Sequence, residues 1–485
     1  MNLRVVLKML GNVLLCLSAL MAVPLAVSAA YLETGAAVSF LAAIGVTLAA
    51  GIPLRLLSKP KGRRFYMKEG LVAVAASWFA LSAFGALPFL FSGQFSGYMD
   101  CFFEAASGFT TTGASVLTDV ERLPRGILFW RGFTQWIGGM GVLVFMLSVL
   151  PRSASLVTLM KAESPGPLTN KVVPKLRDTA KRLYAVYIAM SVMCLAGLLL
   201  SGLPPYDAVL CMFGTAGTGG FSAVNAGIGS YGSFAAEMVV LVFMMLFATN
   251  FGVYFLILRG DIVSALKDEE TRFFYGAVLL AAALIAANTL GARGGSALEA
   301  LRCAVFQAVS ISSSAGYATT DYNLWPSFSK CVLVLLMIMG ASAGSTGGGA
   351  KAVRVLTTLK MARAGISKLV HPGAVRTIKL NGRNVDNAVL TGIAAYTGIY
   401  AILALAGTLL VSLDGMDLVS CATAVISCVS NIGPGLEAVG PTGNFAAFGA
   451  LSKAALSFLM IAGRLEFLPV LALFVPSIWR RNAVA

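Results

Sequence analysis

The sequence predicts an all-α integral membrane protein: four tandem M1–pore helix–M2 repeats around a central pore in pseudo-fourfold arrangement, plus two N-terminal transmembrane helices. Three observations lead there. Of the 485 residues, 58% are hydrophobic and only 12% are charged, where a soluble domain carries about 25% charged residues. Apolar runs long enough to cross a bilayer recur from end to end. Shorter apolar segments, each ending in a Gly-bearing loop, fall between them four times.

Residues 1–69 hold the two leading spans, near 9–31 and 35–57. Arg4 and Lys8 precede the first, which ends Val27-Ser28-Ala29-Ala30 in the manner of a signal-peptide cleavage site. The run is longer than a signal h-region, and a second apolar segment follows at once, so it reads as a retained helix. The repeats then follow as units of span, short segment and span. Repeat 1 (70–182) has segments near 70–92, 98–110 and 127–150, and repeat 2 (183–271) has them near 183–203, 205–217 and 233–258. Repeat 3 (272–384) places them near 272–291, 297–313 and 329–360, and repeat 4 (385–485) near 385–412, 416–430 and 449–476. The middle segments are too short to cross the hydrocarbon and read as re-entrant helices.

The net charge of +15 invites a nucleic-acid reading, which its distribution excludes. One cluster holds Arg55, Lys59, Lys61, Arg63, Arg64 and Lys68; another holds Arg152, Lys161, Lys171, Lys175, Arg177, Lys181 and Arg182. Arg259, Lys267 and Arg272 form a third, and a fourth runs from Lys351 to Arg383; Arg480 and Arg481 close the chain. These lie between alternate apolar runs, as the positive-inside rule produces. With both termini cytoplasmic, every cluster returns to the cytoplasmic side and all four re-entrant loops open outward. His371 is the only histidine, and the eight cysteines show no paired spacing. Histidine-based metal or triad chemistry therefore has nothing to work with, and the chain does not read as an enzyme.

The four loops align as Thr111-Thr112-Gly113, Thr218-Gly219-Gly220, Ser314-Ala315-Gly316 and Asn431-Ile432-Gly433. Tandem self-similarity of this kind marks one architectural unit copied. A cation sheds its water only where a ring of backbone carbonyls replaces it. Glycine lets a strand aim successive carbonyls at one axis and leaves no Cβ in the way. The short helix before each loop turns its partially negative end inward. Ordinary small-residue packing is the plainer alternative, and four copies in the same place weigh against it.

Two further features lie below the loops. The stretch from Gly340 to Lys351, with Gly344, Ser345, Thr346, Gly347, Gly348 and Gly349, is too glycine-rich to stay helical. It lacks a Gly-Lys-Ser/Thr phosphate loop and reads as a flexible loop obstructing the pore, with a packing kink as the alternative. Arg464 falls inside the last span, where a charge needs a partner or water. It either pairs locally, with Glu466 or a neighbouring carboxylate, or projects into the pore as a barrier. Lys453, nearer the outer end, reads as a snorkelling or pairing residue. Asp100, Glu104, Asp207, Glu299, Asp321, Asp414, Asp417 and Glu437 gather on the outer side, more as helix caps than as a cation-concentrating mouth.

On Gly108-Phe109-Thr110-Thr111-Thr112-Gly113, Gly217-Thr218-Gly219-Gly220-Phe221-Ser222 and Asn431-Ile432-Gly433-Pro434-Gly435, the chain resembles the Trk/Ktr/HKT superfamily of K⁺ transporters over its whole length. The two leading spans favour the TrkH branch over the KtrB branch. The resemblance implies a K⁺-selective (K⁺/Rb⁺) channel or transporter for potassium uptake, multi-pass in the bacterial inner membrane. It implies K⁺ held by filter carbonyls and no organic cofactor. It also implies an intramembrane gating loop at 340–351, an arginine of the last helix below the filter, a homodimer and a cytosolic TrkA-like nucleotide-binding ring. In this superfamily a serine at the first filter glycine goes with sodium selectivity. The third and fourth loops carry fewer hydroxyls than the Thr-rich pattern, which leaves the number of ion sites open. An H⁺- or Na⁺-coupled symporter is the alternative, disfavoured because the repeats run direct and mid-membrane carboxylates are sparse.

Overall fold

The structure, a computed structural model, describes residues 2–58, 67–141, 176–293, 296–372 and 377–479. Lys59, Lys61, Arg63, Arg64, Arg152, Lys161, Lys171, Lys175, Arg376, Arg480 and Arg481 lie outside the described residues, as does the end of the segment expected at 127–150.

The regular structure of the described chain is helical but for a two-stranded hairpin that pairs Lys379 with Asn384. Helices Leu3–Ala30 and Thr34–Leu57 form a leading antiparallel pair, and Gly11 and Gly51 let their backbones approach closely. The first helices of the four units are Met67–Gly85 (continued by Leu87–Phe91), Leu176–Leu200, Glu269–Arg293 and Asn387–Val411. The short helices are Tyr98–Phe109, Pro205–Gly217, Ala297–Ser312 and Leu418–Ser430. Six described helices are long and apolar enough to cross a membrane.

The second helices depart from expectation. Each was expected as one span, interrupted only in the third unit. Instead they are Arg125–Gly139, Phe234–Ala248, Ser327–Met339 and Ala450–Arg464, so each stops after 15, 15, 13 and 15 residues. In the second unit the chain bends by 91° before Phe251–Leu258. In the fourth it turns through Glu466 and Phe467, both at positive φ, before Leu468–Ala472. Neither break has a glycine or proline at its apex. The turns are held by outside partners instead: Phe251 N–H donates to Gly344 O at 3.1 Å, and Phe467 stacks on Tyr396 at 4.9 Å.

Packing closes the four units into a ring. The second helix of unit one lies against the short helix of unit two, unit two against three, three against four, and four against one. The short helices therefore converge from four sides on one axis, with their C-terminal loops meeting at the centre.

Candidate functional site

The four loops share one backbone conformation. Each short helix ends in a residue with left-handed φ: Thr111 at 54°, Thr218 at 54°, Ser314 at 59° and Asn431 at 54°. The next residue's N–H reaches back five positions. Thr112 bonds Ser107 O at 2.9 Å, Gly219 bonds Gly214 O at 2.9 Å, Ala315 bonds Ser310 O at 3.0 Å and Ile432 bonds Ser427 O at 3.0 Å. This is the Schellman closure of a helix, made four times without glycine at its left-handed position. Such a position is costly for threonine and persists only where the surroundings enforce it. Each loop then reaches its glycine, also at positive φ: Gly113 83°, Gly220 69°, Gly316 73° and Gly433 100°.

The glycines fix how the loops meet. A Cβ on Gly113 would collide with Gly219 O, one on Gly220 with Ala315 O, one on Gly316 with Ile432 O, and one on Gly433 with Thr112 O. The collisions run round the ring in order and return to the start. At this level the loops leave no room for a side chain, and each glycine abuts the carbonyl that precedes the next glycine. All four glycines line one cavity of ≈ 220 Å³ above the ring. Thr111 Oγ1 and Asn431 Oδ1 are buried oxygens with no hydrogen-bond donor among the described residues.

Residues 340–351 lie against the inner side of this ring. Gly348 N–H donates to Ser314 Oγ at 2.7 Å, and the Thr346 hydroxyl stands 3.4 Å from that of Thr218. A Cβ on Gly347 would press on Ser313 O at 2.8 Å, and one on Gly348 would strike Ser430 O. The stretch is thus seated under the third and fourth loops, which is why its glycines are so many. Ser342 N–H and Thr346 N–H donate to Ala248 O and Phe247 O, filling the broken end of the second unit's helix. Gly340 and Gly344 turn at positive φ, Ser345 Oγ donates to Ser342 O, and Gly349 packs on Gly340. Lys351 Nζ donates to Gly347 O inside the same turn.

Arg464 ends the last second helix rather than sitting mid-span. Its guanidinium donates to Thr346 O at 2.7 Å, Gly138 O at 2.7 Å and Gly139 O at 2.8 Å. It ties the loop to the broken ends of units one and four. Glu466 hydrogen-bonds Arg354, whose guanidinium also lies 4.2 Å over the Tyr396 ring. Lys453 pairs with Asp100 at 2.7 Å.

The carboxylates expected on the outer side divide. Asp417 caps the fourth short helix through Ser420 N–H at 2.9 Å, and Ser420 holds its carboxyl below the usual range. Asp207 and Glu299 stand in first helical turns, Asp321 caps a short turn and Asp414 accepts from Gly449 N–H. Glu437 pairs with Lys330. Glu104 belongs with neither caps nor mouth: it is buried and paired with Arg131.

Sequence reasoning overlooked three residues around the ring. Arg131 and Gln135, one turn apart on a second helix, both bond the second loop, Arg131 also holding Glu104, and Glu270 accepts from Ala343 N–H at 2.5 Å and Val353 N–H at 3.3 Å. The available signal was an arginine inside an apolar run with a glutamine four residues on, both on one helical face.

The fold and site define a class: an all-α membrane transporter whose four re-entrant hairpins close round one axis. The family model described as TrkH, cation transport protein, matches residues 37–288 and 292–481. The Trk system potassium uptake protein TrkH of Salmonella typhimurium (strain LT2) is 35% identical over 486 residues, covering 99% of this chain and 100% of that one. The Trk system potassium uptake protein TrkG of Escherichia coli (strain K12) is 30% identical, covering 99% of each. The crystal structure of the potassium transporter TrkH from Vibrio parahaemolyticus superposes with TM-score 0.89 at 32% identity, over 99% of this chain and 100% of that one. This chain belongs to the TrkH family of cation transport proteins.

Proposed function

We propose that the chain is a K⁺-selective pore, passing K⁺ and Rb⁺, that mediates potassium uptake across the bacterial inner membrane with both termini cytoplasmic. The observation that carries this reading is the closed ring in which each loop's glycine abuts the carbonyl before the next. Backbone carbonyls are the ligands that replace a potassium ion's water. The ring has oxygen ligands and no side chain to obstruct them. Thr111, Thr112, Gly113, Thr218, Gly219, Gly220, Ser314, Ala315, Gly316, Asn431, Ile432 and Gly433 form the filter.

The gate is the intramembrane loop, Gly340, Gly344, Ser345, Thr346, Gly347, Gly348, Gly349 and Lys351, pinned by Arg464. A loop seated on the filter's inner side obstructs an axial path until it is displaced. The agent of displacement is a cytosolic TrkA-like nucleotide-binding ring acting on a homodimer, with the basic helix Ala352–Val370 as the contact that leads into the loop. The printed names of the relatives, Trk system potassium uptake proteins, support the same substrate.

Uptake of K⁺, Rb⁺ and Na⁺ into proteoliposomes of the isolated chain tests the reading. K⁺ and Rb⁺ are expected to pass and Na⁺ to be excluded, without any imposed H⁺ or Na⁺ gradient. Uptake that requires such a gradient would instead make the chain a coupled symporter.

A further inference from the structure

The ring is not fourfold in its hydrogen bonding. Gln135 Nε2–H donates to Gly219 O at 2.8 Å, and Phe221 N–H donates back to Gln135 Oε1 at 3.0 Å. One carboxamide thus spans the second loop, and only this orientation satisfies both of its ends. The space it fills is the one a side chain at residue 219 would need: a Cβ there would meet the Gln135 amide at 2.6 Å. Among the described residues, the equivalent carbonyls of Thr112, Ala315 and Ile432 accept no hydrogen bond. Gly219 O is therefore the one carbonyl of its tier already shared with a donor. A shared carbonyl is held more rigidly and presents a weaker field to a cation.

Arg131 continues the bracket one turn earlier. It donates to Glu104 Oε1 at 2.5 Å and to Ser222 O at 3.3 Å, and its guanidinium lies 3.5 Å from the centre of the Phe221 ring. Glu104 in turn accepts from Ser115 Oγ at 3.0 Å and Val116 N–H at 3.1 Å. Glu104 and Gln135 are wholly buried and Arg131 is 3% exposed. In so dry a setting charge-assisted hydrogen bonds hold geometry tightly. The chain Ser115–Glu104–Arg131–Ser222 joins the first loop to the second just above their glycines, and Gln135 joins the second loop at the glycine tier itself.

We infer that Gln135, with the Glu104–Arg131 pair behind it, is a specificity-determining positioning residue that sets the second loop's carbonyl and so the preference among alkali cations. This rests on the ring being the filter. The third and fourth loops are tied differently, by their own short helices, with Ser310 Oγ donating to Tyr317 O at 2.6 Å and Ser427 Oγ to Gly433 O at 2.7 Å.

Competition by K⁺ and by Na⁺ against ⁸⁶Rb⁺ uptake, in proteoliposomes of the full chain, tests it. Gln135→Met keeps the volume and removes donor and acceptor. The K⁺:Na⁺ competition ratio is expected to shift by about two- to tenfold, the net worth of the one lost bond, of the two, that lies on the Gly219 carbonyl. Arg131→Lys keeps the charge facing Glu104 but loses the fork and the ring contact, and moves the ratio in the same direction. Met244→Leu, at the matching place in the second unit's helix and fully buried, leaves it unchanged. A Gln135→Met protein with normal uptake and the unaltered ratio overturns the inference, as does an equal shift from Met244→Leu. If Gln135→Met does not assemble, an unchanged ratio in Arg131→Lys overturns it. Unaltered chain that fails to discriminate K⁺ from Na⁺ overturns the proposed function, and this inference with it.

Discussion

Arg464 donates to the carbonyl of Thr346, at 2.7 Å, across 118 residues of sequence. The same guanidinium takes the carbonyls of Gly138 and Gly139, so one side chain closes the break in its own helix onto the break in the first unit's and onto the loop beneath the glycine ring. A charge-assisted hydrogen bond is worth about 1.5–3 kcal/mol. Losing even one of these shifts a closed-to-open balance by roughly ten- to a hundredfold. Arg464→Ala is expected to raise basal ⁸⁶Rb⁺ uptake by the isolated chain, measured in proteoliposomes. Unchanged uptake would remove Arg464 from the gate.

Deleting residues 344–349 removes the segment itself and the seat of Gly348 N–H on Ser314 Oγ. Basal uptake is expected to rise at least as far as in Arg464→Ala, and the two changes together are expected to add little. Full additivity would show that arginine and loop act separately.

Glu270 grips both ends of the loop through Ala343 N–H and Val353 N–H. Glu270→Ala leaves two backbone donors unpaired in a buried setting, at about 1–3 kcal/mol for each buried group. Raised basal uptake with unaltered ion preference is expected, because the contacts lie in the loop and not in the ring. A change in ion preference would contradict that division.

Gly113→Ser meets two obstacles: a φ of 83° and a Cβ that would overlap Gly219 O. Left-handed backbone alone costs a non-glycine residue roughly 1–2 kcal/mol. The second loop must retreat, widening the ring on one side. The K⁺ preference over Na⁺ in uptake assays is expected to fall, and an unchanged preference would place residue 113 outside the filter.

The Arg354–Glu466 pair is 7% and 15% exposed. Removing one partner of a buried pair costs about 3–5 kcal/mol, whereas replacing both with apolar groups is often neutral. Arg354→Met is expected to lower the thermal denaturation temperature in detergent, and adding Glu466→Met is expected to recover part of the loss.

Much of this architecture was legible in the sequence because each part has its own composition. Long apolar runs, short apolar runs and glycine-bearing loops alternate four times, and the bilayer permits few other arrangements. The loop register was legible because each loop carries a glycine two residues after the same helix end. The breaks at Thr249–Asn250 and Leu465–Phe467 were not. Asn250 caps the helix after the first bend through Gly252 N–H at 2.8 Å, but a cap does not announce a bend, and both turns are held by Gly344 and Tyr396, distant in sequence. Glu104 read as a helix cap or part of an outer mouth for a similar reason. Its partner Arg131 lies on another helix, and nothing in either segment announces the pairing.

Rb⁺ anomalous scattering from crystals of the chain shows whether the four loops form one cation-binding ring. Rb⁺ peaks are expected on the axis between Thr112, Gly219, Ala315 and Ile432, lost on exchange into Na⁺. Rb⁺ bound only elsewhere, or an equal response to Na⁺, would contradict it.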